Sequence, residues 1–429
     1  GITWRPGAYL DEPGFEMRPS VGAQIKIEAE DPPDLNGNGI DDDEFVRVSP
    51  EFTVADILVT SPVEGALWTI GSDQNIDWYS AGANDPDDDN PAATIYYSES
   101  GDFSDQVQIA QYGNNEEYPG TNSFPWVVPP NVTPSETARI KVEGALAEGI
   151  SKPFTLKGIQ VTRPAQDEVV SQGDFLSVAW NHAGLTGDVN VFYAADGITF
   201  DTQLNAAPIT IQQGSFNWTV DPAVAEPSVT AKVRVQSVDE PLVFGDSATF
   251  TLRGILLQTP AGGESWALED THALEWFSAA AGSTVDLYYA ADGTTFGDTP
   301  LNTSPLLLSD GNGTFDWTIA AQTLPSDGNA RIKAVTDLGI EAVSEPFTVT
   351  GIRVTSPVSG TVWASGFDEQ ISWMAVPDTG PFDLAYVYDD GGTETVQPIA
   401  TGVGGNTHTW NVEDPTAIED PDSTRIRIT

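Results

Sequence analysis

The sequence contains no cysteine, so neither disulfide bonds nor thiol chemistry contributes to its fold or function. A chain without disulfides is compatible with the cytosol and with a bacterial surface protein that relies on core packing, so cysteine usage leaves the compartment open. Cationic residues are scarce too: 17 Lys and Arg stand against 64 Asp and Glu, which gives a formal net charge of −47. Such a surface disfavours binding to nucleic acid or to an anionic membrane, and it favours divalent cations and high salt.

Long apolar runs and sustained helical periodicity are also missing. No stretch approaches the roughly 18 consecutive apolar residues that a membrane span needs, so we expect no membrane insertion in this segment. The hydrophobic fraction of 39% and the 12 Trp are too high for a disordered acidic tail. At about 150 residues per domain, 429 residues provide for about three or more folded domains.

An internal repeat dominates what the sequence does contain. The segments ILVTSP, IQVTRP, ILLQTP and IRVTSP begin at Ile57, Ile159, Ile255 and Ile352, which are 102, 96 and 97 residues apart. Each is followed by a first Trp strand, a Tyr- or Phe-rich strand, a second Trp strand, an ARIKV-type strand and, except in the last unit, a PFTV-type strand. The apolar and polar residues alternate as in half-buried strands, and DG pairs are hairpin signals. We therefore predict an all-β chain, a tandem array of immunoglobulin-like β-sandwich domains arranged as an elongated rod.

The repeat divides the chain into five segments. Residues 1–56 match the closing strands of a unit, because GITW, AQIKIE and SPEFTV correspond to the second Trp strand, the ARIKV strand and the PFTV strand. Residues 57–158, 159–254 and 255–351 form three whole units, and residues 352–429 form a unit that lacks its last strand. Only two residues separate each PFTV strand from the next unit, so little bending is expected between units.

Two interpretations of the incomplete last unit remain open. In the simpler one the chain is a window cut from a longer array. In the other, Thr429 is a true terminus and the SPEFTV strand of another copy fills the open edge, which gives head-to-tail polymerisation.

The stretch DLNGNGIDDDE at residues 34–44 is similar to the calcium loops of bacterial EF-hand-like and thrombospondin type 3 repeats. Calcium takes six to eight oxygen ligands supplied at alternate positions, with a Gly that allows a sharp turn. The acid that would bind in bidentate fashion is the eleventh residue of the loop, whereas the pattern expects the twelfth, here Phe45. The predicted calcium ligands are Asp34, Asn36, Asn38, the carbonyl of Ile40, Asp42 and Glu44. The alternative is a solvated acidic loop between two strands.

A second acidic cluster, in the segment NDPDDDNPA, is less similar to a metal loop. Two prolines and the lack of a Gly turn argue against calcium there, so a solvated loop is the preferred interpretation. The cluster consists of Asp85, Asp87, Asp88 and Asp89.

The tryptophans decide between a scaffold and a sugar-binding module. Two sets lie in phase with apolar neighbours and are predicted to be core residues. The first set is Trp78, Trp180, Trp276 and Trp373; the second is Trp4, Trp126, Trp218, Trp317 and Trp410. The third set, Trp68, Trp266 and Trp363, lies near the first turn of each unit and is interpreted as partly exposed. This third set alone supports a ligand-binding platform.

Catalysis has little support in the sequence. The three histidines, His182, His272 and His408, occupy non-equivalent places in three units, and no Ser-His-Asp order or metal-ligand spacing surrounds them. Acidic residues are so abundant that a pair of neighbouring carboxylates carries little information. We predict no enzyme activity.

The cationic residues concentrate on the ARIKV-type strands, where they alternate with apolar residues. They are Lys26, Arg139, Lys141, Lys232, Arg234, Arg331, Lys333, Arg425 and Arg427. The first interpretation is pairing with acids on neighbouring strands of the same unit. The second is a repeated basic stripe that docks an acidic neighbouring rod.

The whole pattern resembles the tandem Ig-like repeats of large bacterial surface and secreted proteins, the Kre9/Knh1-like domains and, more distantly, fibronectin type III modules. The resemblance implies a structural extracellular protein that forms part of a filament, surface layer or adhesin stalk and is stiffened by calcium. Its expected partners are neighbouring copies, further repeats of the same protein and other cell-surface components. The alternative is an accessory carbohydrate-binding or spacer region of a secreted polysaccharide-degrading enzyme.

Overall fold

The computed structural model describes residues 20–24, 26–27, 47–81, 92–113, 120–390, 393–412 and 424–429. Within these ranges the regular structure is β-strand, apart from one short 3-10 turn at Ile211–Gln213. The predicted all-β class is thereby confirmed. The predicted calcium loop at 34–44, the acidic cluster at 85–89 and Trp4 lie outside the described residues.

We call residues 57–158, 159–254, 255–351 and 352–429 units A, B, C and D. Before unit A the strands are β1 Ser20–Ala23, β2 Lys26–Ile27, β3 Arg47–Val48 and β4 Phe52–Val54. Unit A contains β5 Asp56–Ser61, β6 Leu67–Thr69, β7 Asp73–Ala81, β8 Ala92–Ser98, β9 Val107–Gly113, β10 Gly120–Val127, β11 Ser135–Glu143, β12 Glu148–Ile150 and the start of β13 Phe154–Arg163.

Unit B continues β13 and adds β14 Val169–Ser171, β15 Phe175–Ala183, β16 Asp188–Ala194, β17 Thr202–Gln203, β18 Ile209–Thr210, β19 Ser215–Thr219, β20 Ser228–Ser237, β21 Phe244–Asp246 and the start of β22 Phe250–Thr259. Unit C continues β22 with β23 Ser265–Ala267, β24 Thr271–Ala279, β25 Thr284–Ala290, β26 Leu306–Leu307, β27 Gly311–Thr318, β28 Ser326–Thr336, β29 Glu341–Val343 and the start of β30 Phe347–Ser356. Unit D continues β30 with β31 Asp368–Val376, β32 Phe382–Asp390, β33 Thr393–Val403, β34 Thr407–Asn411 and β35 Arg425–Ile428.

Each whole unit is a sandwich of two sheets. In unit B one sheet has the order β13-β15-β19, and the other runs from β17 through β16 and β20 to β22. The short strand β14 joins the second sheet by parallel pairing with β22, and β21 pairs with β20. Units A and C repeat this arrangement, so the array is built from immunoglobulin-like sandwiches.

The inward side chains of the two sheets form a separate core in each unit. In unit B the alternation along β20 buries Ala231, Val233 and Val235, which pack in one cluster with Trp180 and Phe250. The first Trp set is buried in all four units, as predicted. In the second set Trp126, Trp218 and Trp317 are buried and Trp410 is partly buried, as expected for core positions.

The predicted boundaries between units fall inside continuous strands. The first half of β13 pairs with β11 of unit A, and its second half pairs with β15 of unit B. Strands β22 and β30 are shared in the same way by units B and C and by units C and D. The two residues expected to link the units, such as Lys157 and Gly158, are therefore strand residues.

The backbone before unit A repeats the pairing of a closing half-unit. Strand β1 pairs antiparallel with β4, with an irregularity between Ser20 and Ala23, and β2 pairs with β3. In unit A, β11 pairs with β13 with an irregularity between Ser135 and Ala138, and also with β12. The described strands β1 to β4 thus pair as the ARIKV and PFTV strands of a whole unit do.

Candidate functional site at the junctions between units

The shared strands make the junctions the most distinctive places in this molecule. A Gly lies at the middle of each shared strand, where a side chain of the same unit crosses it. A Cβ added at Gly158 would lie 2.6 Å from Ile70 Cδ1, and one added at Gly351 would lie 2.7 Å from Leu268 Cγ. At Gly254 the crossing side chain is Gln172, whose Oε1 would lie 2.1 Å from the added Cβ. An added side chain at any of the three Gly residues would therefore have to displace the crossing residue, and at Gly351 the φ of +140 disfavours a side chain as well.

The residue that crosses the Gly also fixes the strand beneath it. Ile70 donates its backbone N–H to the carbonyl of Lys157 over 2.9 Å. Gln172 and Leu268 donate theirs to the carbonyls of Arg253 and Thr350, also over 2.9 Å. The same hydrogen bond thus anchors all three junctions one residue before the Gly.

Unit B contacts unit A through two loops. The Lys157 ammonium lies 2.6 Å from the Glu240 carboxylate of unit B, and the Lys157 side chain is only 12% exposed. Gly184, with φ +66, approaches unit A so closely that an added Cβ would lie 2.9 Å from Leu67 Cδ1 and 2.9 Å from Thr155 Cγ2. These contacts hold the orientation of the two units beyond what the shared strand does.

The other two junctions use different residues at the same positions. The position of Lys157 is occupied by Arg253 and by Thr350. Ala280 of unit C, with φ 48, corresponds to Gly184 of unit B, since each lies four residues after the first-set Trp of its unit. A left-handed backbone at a non-Gly residue is uncommon, so this loop conformation is retained despite the side chain.

Five of the nine cations on the ARIKV strands pair with acids inside their own units: Lys141, Arg234, Lys333, Arg425 and Arg427. Lys141 lies 3.1 Å from Glu143, and Lys333 lies 3.5 Å from Glu341. In unit D, Arg425 and Arg427 both bind Glu394. For these residues the structure agrees with pairing within a unit and not with a free basic stripe.

Aromatic rings complete these cation sites, which the sequence pattern did not indicate. The Arg234 guanidinium binds Asp246 through two hydrogen bonds and lies 4.0 Å from the ring centre of Phe200 and 3.8 Å from that of Phe244. Lys141 lies 4.8 Å from the ring centre of Tyr96 in the equivalent place. The stacking favours the bound position of each cation on the outer face of the sheet.

Two of the three residues of the third Trp set are buried and offer no ligand-binding platform. Trp68 and Trp266 are each only 6% exposed, and their rings lie 4.8 and 4.7 Å from those of Phe154 and Phe347 on the closing strands. The expectation of partial exposure was wrong for these two residues, because the closing strand covers them. Trp363 is partly exposed, as expected, and packs against the core of its own unit D.

The predicted chemical sites can be placed only in part. Within the described residues no group of three or more His, Asp or Glu is arranged to hold a metal ion. His272 stacks on Trp266 with ring centres 4.5 Å apart. A shallow cavity of about 420 Å³ in unit B is lined by Tyr193, Asp196 and Glu226 among others, and the Tyr193 hydroxyl already donates to the Glu226 carbonyl.

The Asp-Gly loops of units B and C, the first of which lines this cavity, are closed by their own carboxylates. Asp196 accepts the N–H groups of Ile198 and Thr199 and the Thr199 hydroxyl, and these hydrogen bonds lower the pKa of its carboxyl group. The carboxylate of Asp292 does the same with the N–H groups of Thr294 and Thr295 in unit C. These acids thus serve the loop conformation.

Comparisons with known proteins show no family for this chain. No family model matches the chain, and no curated protein matches it. Among solved structures, it is similar to Escherichia coli alpha-2-macroglobulin, with 11% identity over 95% of this chain and 46% of that chain and a TM-score of 0.22. It is also similar to the I9–I11 tandem of titin, with 10% identity over 68% of this chain and 98% of that one and a TM-score of 0.18.

A further similar structure contains fibronectin(III)-like modules of Clostridium thermocellum CbhA, with 13% identity, coverage of 44% of this chain and 92% of that chain, and a TM-score of 0.16. All these TM-scores are below 0.5, so the fold assignment rests on the strand order and pairing given above. The described residues include no helix long and apolar enough to cross a membrane.

Proposed function

We propose that this chain is a structural extracellular repeat protein, part of a filament, a surface layer or an adhesin stalk. The observation that supports this proposal best is the set of three shared strands, each of which closes one sandwich and opens the next. A joint of this kind leaves no flexible linker, so the orientation of each unit depends on that of its neighbour. Repetition of such a joint favours an extended, stiff array.

Calcium has a mechanical role in this proposal. With a formal net charge of −47, the units repel one another unless cations neutralise part of the surface. The loop at residues 34–44 supplies alternate oxygen donors around Gly39, as calcium sites do. Calcium bound there would stiffen the region before unit A, and the partners of the array would be further repeats, neighbouring copies and other cell-surface components.

The burial of two residues of the third Trp set removes the main support for a carbohydrate-binding accessory region. A sugar platform needs exposed aromatic faces. The rings of Trp68 and Trp266 instead pack against Phe154 and Phe347 of the closing strands. The structural role is therefore the function we carry forward.

Electron microscopy of the protein in millimolar calcium, and again after chelation, tests the proposal. We expect straight rods or filaments that bend or separate on chelation. The variant D42A/E44A should behave in calcium as the native chain does after chelation, while D85A/D87A, in the cluster without a Gly turn, should keep the native response. Dispersed short particles under both conditions would contradict the structural role. Rods whose shape does not change on chelation would contradict only the proposed role of calcium.

A further inference from the structure

The outer face of the sheet β13-β15-β19 in unit B carries no acidic side chain. Along β15 and β19 the inward residues pack against the core, and every second residue, from Phe175 to Asn181 and from Ser215 to Thr219, points outward. These outward residues are Phe, Ser, Ala and Asn on β15 and Ser, Asn and Thr on β19, and we call them the acid-free face. In a chain with 64 Asp and Glu, the lack of a carboxylate over a whole face is distinctive.

The equivalent face carries acids in the other units. Phe175 lies five residues before the first-set Trp of unit B, where units A and D have Asp73 and Asp368. Asn217 lies one residue before the second-set Trp, where unit C has Asp316. All three of these carboxylates belong to exposed residues. The repeat thus places at least one acid on this face in units A, C and D and omits it in unit B.

Two charged residues at the border of the acid-free face are engaged within unit B. Arg163 of β13, which is aligned with Ala179, donates two hydrogen bonds to Glu168, over 2.8 and 3.0 Å. Asp174, directly before β15, accepts the Ser171 N–H over 3.2 Å. The face therefore presents neutral groups beside border charges that already have partners.

The acid-free face is open to solvent and includes an exposed aromatic ring. Phe175 is 61% exposed, and Asn181, Asn217 and Thr219 are exposed residues as well. The centre of a protein interface is typically depleted of charge and enriched in aromatic residues. The composition of this face is therefore that of a contact surface.

Charge decides which surfaces of two copies of this chain can meet. Two chains that each have a formal net charge of −47 repel, and carboxylates of two copies cannot donate hydrogen bonds to each other. Hydroxyl and amide groups both donate and accept, so Ser, Thr and Asn can pair with the same residues of a second copy. A two-fold contact between identical faces requires this self-complementarity.

The size of the face sets the strength of such a contact. Three strands about 4.8 Å apart, each about nine residues long at roughly 3.3 Å per residue, give a face of roughly 400 Å². A stable complex buries about 800 Å² on each partner, so this contact alone gives a weak, reversible dimer. In an assembly of many arrays, contacts of this kind reinforce one another through multivalency.

We propose that the acid-free face of unit B is the surface through which two copies of this chain dock, face to face about a two-fold axis. This inference deepens the structural role proposed above, because it names where neighbouring copies meet, and it rests on that role for its biological meaning. Docking of a basic stripe on one copy against acids on another would respond to salt in the opposite direction, since salt weakens attraction between opposite charges.

Analytical ultracentrifugation of the whole polypeptide over a range of concentrations tests the inference, with a chelator present so that calcium does not bridge carboxylates. We expect a reversible dimer that is tighter in about 1 M than in about 0.15 M NaCl, because salt screens the repulsion between the two acidic chains. The variant F175D/N217D introduces at each position the acid that an equivalent position of another unit carries. In about 0.15 M NaCl its dissociation constant should be at least about tenfold higher.

The control T271D/N312D adds the same two charges at exposed positions on the equivalent face of unit C, so its dimerisation should stay close to that of the native chain. A thermal melt of each variant checks that it is folded. A native chain that is monomeric in both salt concentrations, an equal loss of dimer in both variants, or a native dimer that dissociates at high salt would overturn the inference. A monomeric chain that still forms straight rods in the microscopy above would contradict this contact alone, whereas dispersed short particles would contradict the structural role.

Discussion

At the scale of single residues, a buried Asn supports strand β16 in unit B and strand β25 in unit C. Asn302 is 2% exposed; its Oδ1 accepts the Leu287 N–H over 2.8 Å, and its Nδ2 donates to Asp286 and to the Ser304 carbonyl. Asn205 binds the Val191 N–H in the same way in unit B. In the sequence these residues look like ordinary loop Asn residues before a Pro, so nothing indicated their role.

Replacement of Asn302 by Ala should destabilise unit C. The Leu287 N–H would be left buried without an acceptor, which costs about 1–3 kcal/mol. Urea unfolding followed by hydrogen exchange in unit C measures this loss. The control is Asn312→Ala, at an exposed position of β27, which should change the free energy of unfolding by no more than about 0.5 kcal/mol. Equal losses in both variants would contradict the role assigned to Asn302.

Carboxylates that accept hydrogen bonds within their own loops predict a loss of stability in acid. Hydrogen bonds from Ser104 and Ser100 lower the pKa of Asp102 to about 2, and those from Thr295 and Thr294 lower the pKa of Asp292. Because each pKa is lower in the folded chain than its unfolded value of about 3.9, the stabilisation is complete above that value. It is then lost as the pH falls through the folded pKa.

Carboxyl ¹³C NMR titration between pH 5 and 1.5 measures these pKa values directly. In the variant T295V, which removes the largest cause at Asp292, the Asp292 midpoint should rise toward the unfolded value. The Asp102 midpoint in unit A should stay where it is. A native Asp292 that titrates near pH 3.9 would contradict this account.

At the scale of the strand, the sequence predicts those features that depend on a local residue pattern. Alternation and Trp spacing predicted the strands and most of the inward residues, since burial on one face of a strand requires a period of two. The shared strands were not predictable in the same way, because a Gly between two apolar runs indicates a break or a bulge. Only the tertiary contact, with Ile70, Gln172 or Leu268 across the Gly, explains why the strand continues.

The same limit applies to the candidate site. Lys157 and Glu240 are 83 residues apart, and no local pattern relates them. The aromatic partners of Arg234 come from the loop after β16 and from β21, which meet only when the sheet forms. The residue types at the junctions were visible in the repeat, but their contacts depend on the fold.

Gly351 provides the strictest test of a shared strand. Its φ of +140 is rarely adopted by other residues, and a Cβ would lie 2.7 Å from Leu268. Gly351→Ala should therefore destabilise the junction of units C and D by about 1–3 kcal/mol, through backbone strain and overpacking. Differential scanning calorimetry with the control Gly297→Ala, which has open space around its Cβ position, checks the effect. A Gly351→Ala chain that melts like the control would show that the strand tolerates a side chain there.

At the scale of the whole molecule, shared strands imply that the units do not unfold independently. Strand β13 belongs to units A and B, and β22 belongs to units B and C. When unit B opens, unit A loses the Lys157–Glu240 pair and the contact of Gly184 with Leu67. Unit C loses the first half of the strand that opens it. A substitution that destabilises unit B should therefore also destabilise units A and C.

Hydrogen exchange of the full chain with one core residue truncated distinguishes coupled units from independent ones. Leu176→Ala removes a fully buried side chain of unit B, which costs about 2–5 kcal/mol. Faster exchange should appear in unit B and also in β11 of unit A and β24 of unit C. The matched variant Leu274→Ala, at a fully buried position of the corresponding strand β24 in unit C, should speed exchange in units B, C and D and leave unit A unchanged, because no strand is shared between A and C. Faster exchange confined to the mutated unit would show that the units unfold independently. An equal effect of both variants on unit A would show a global loss of structure. Only a response that follows the shared strands from neighbour to neighbour supports the coupled array.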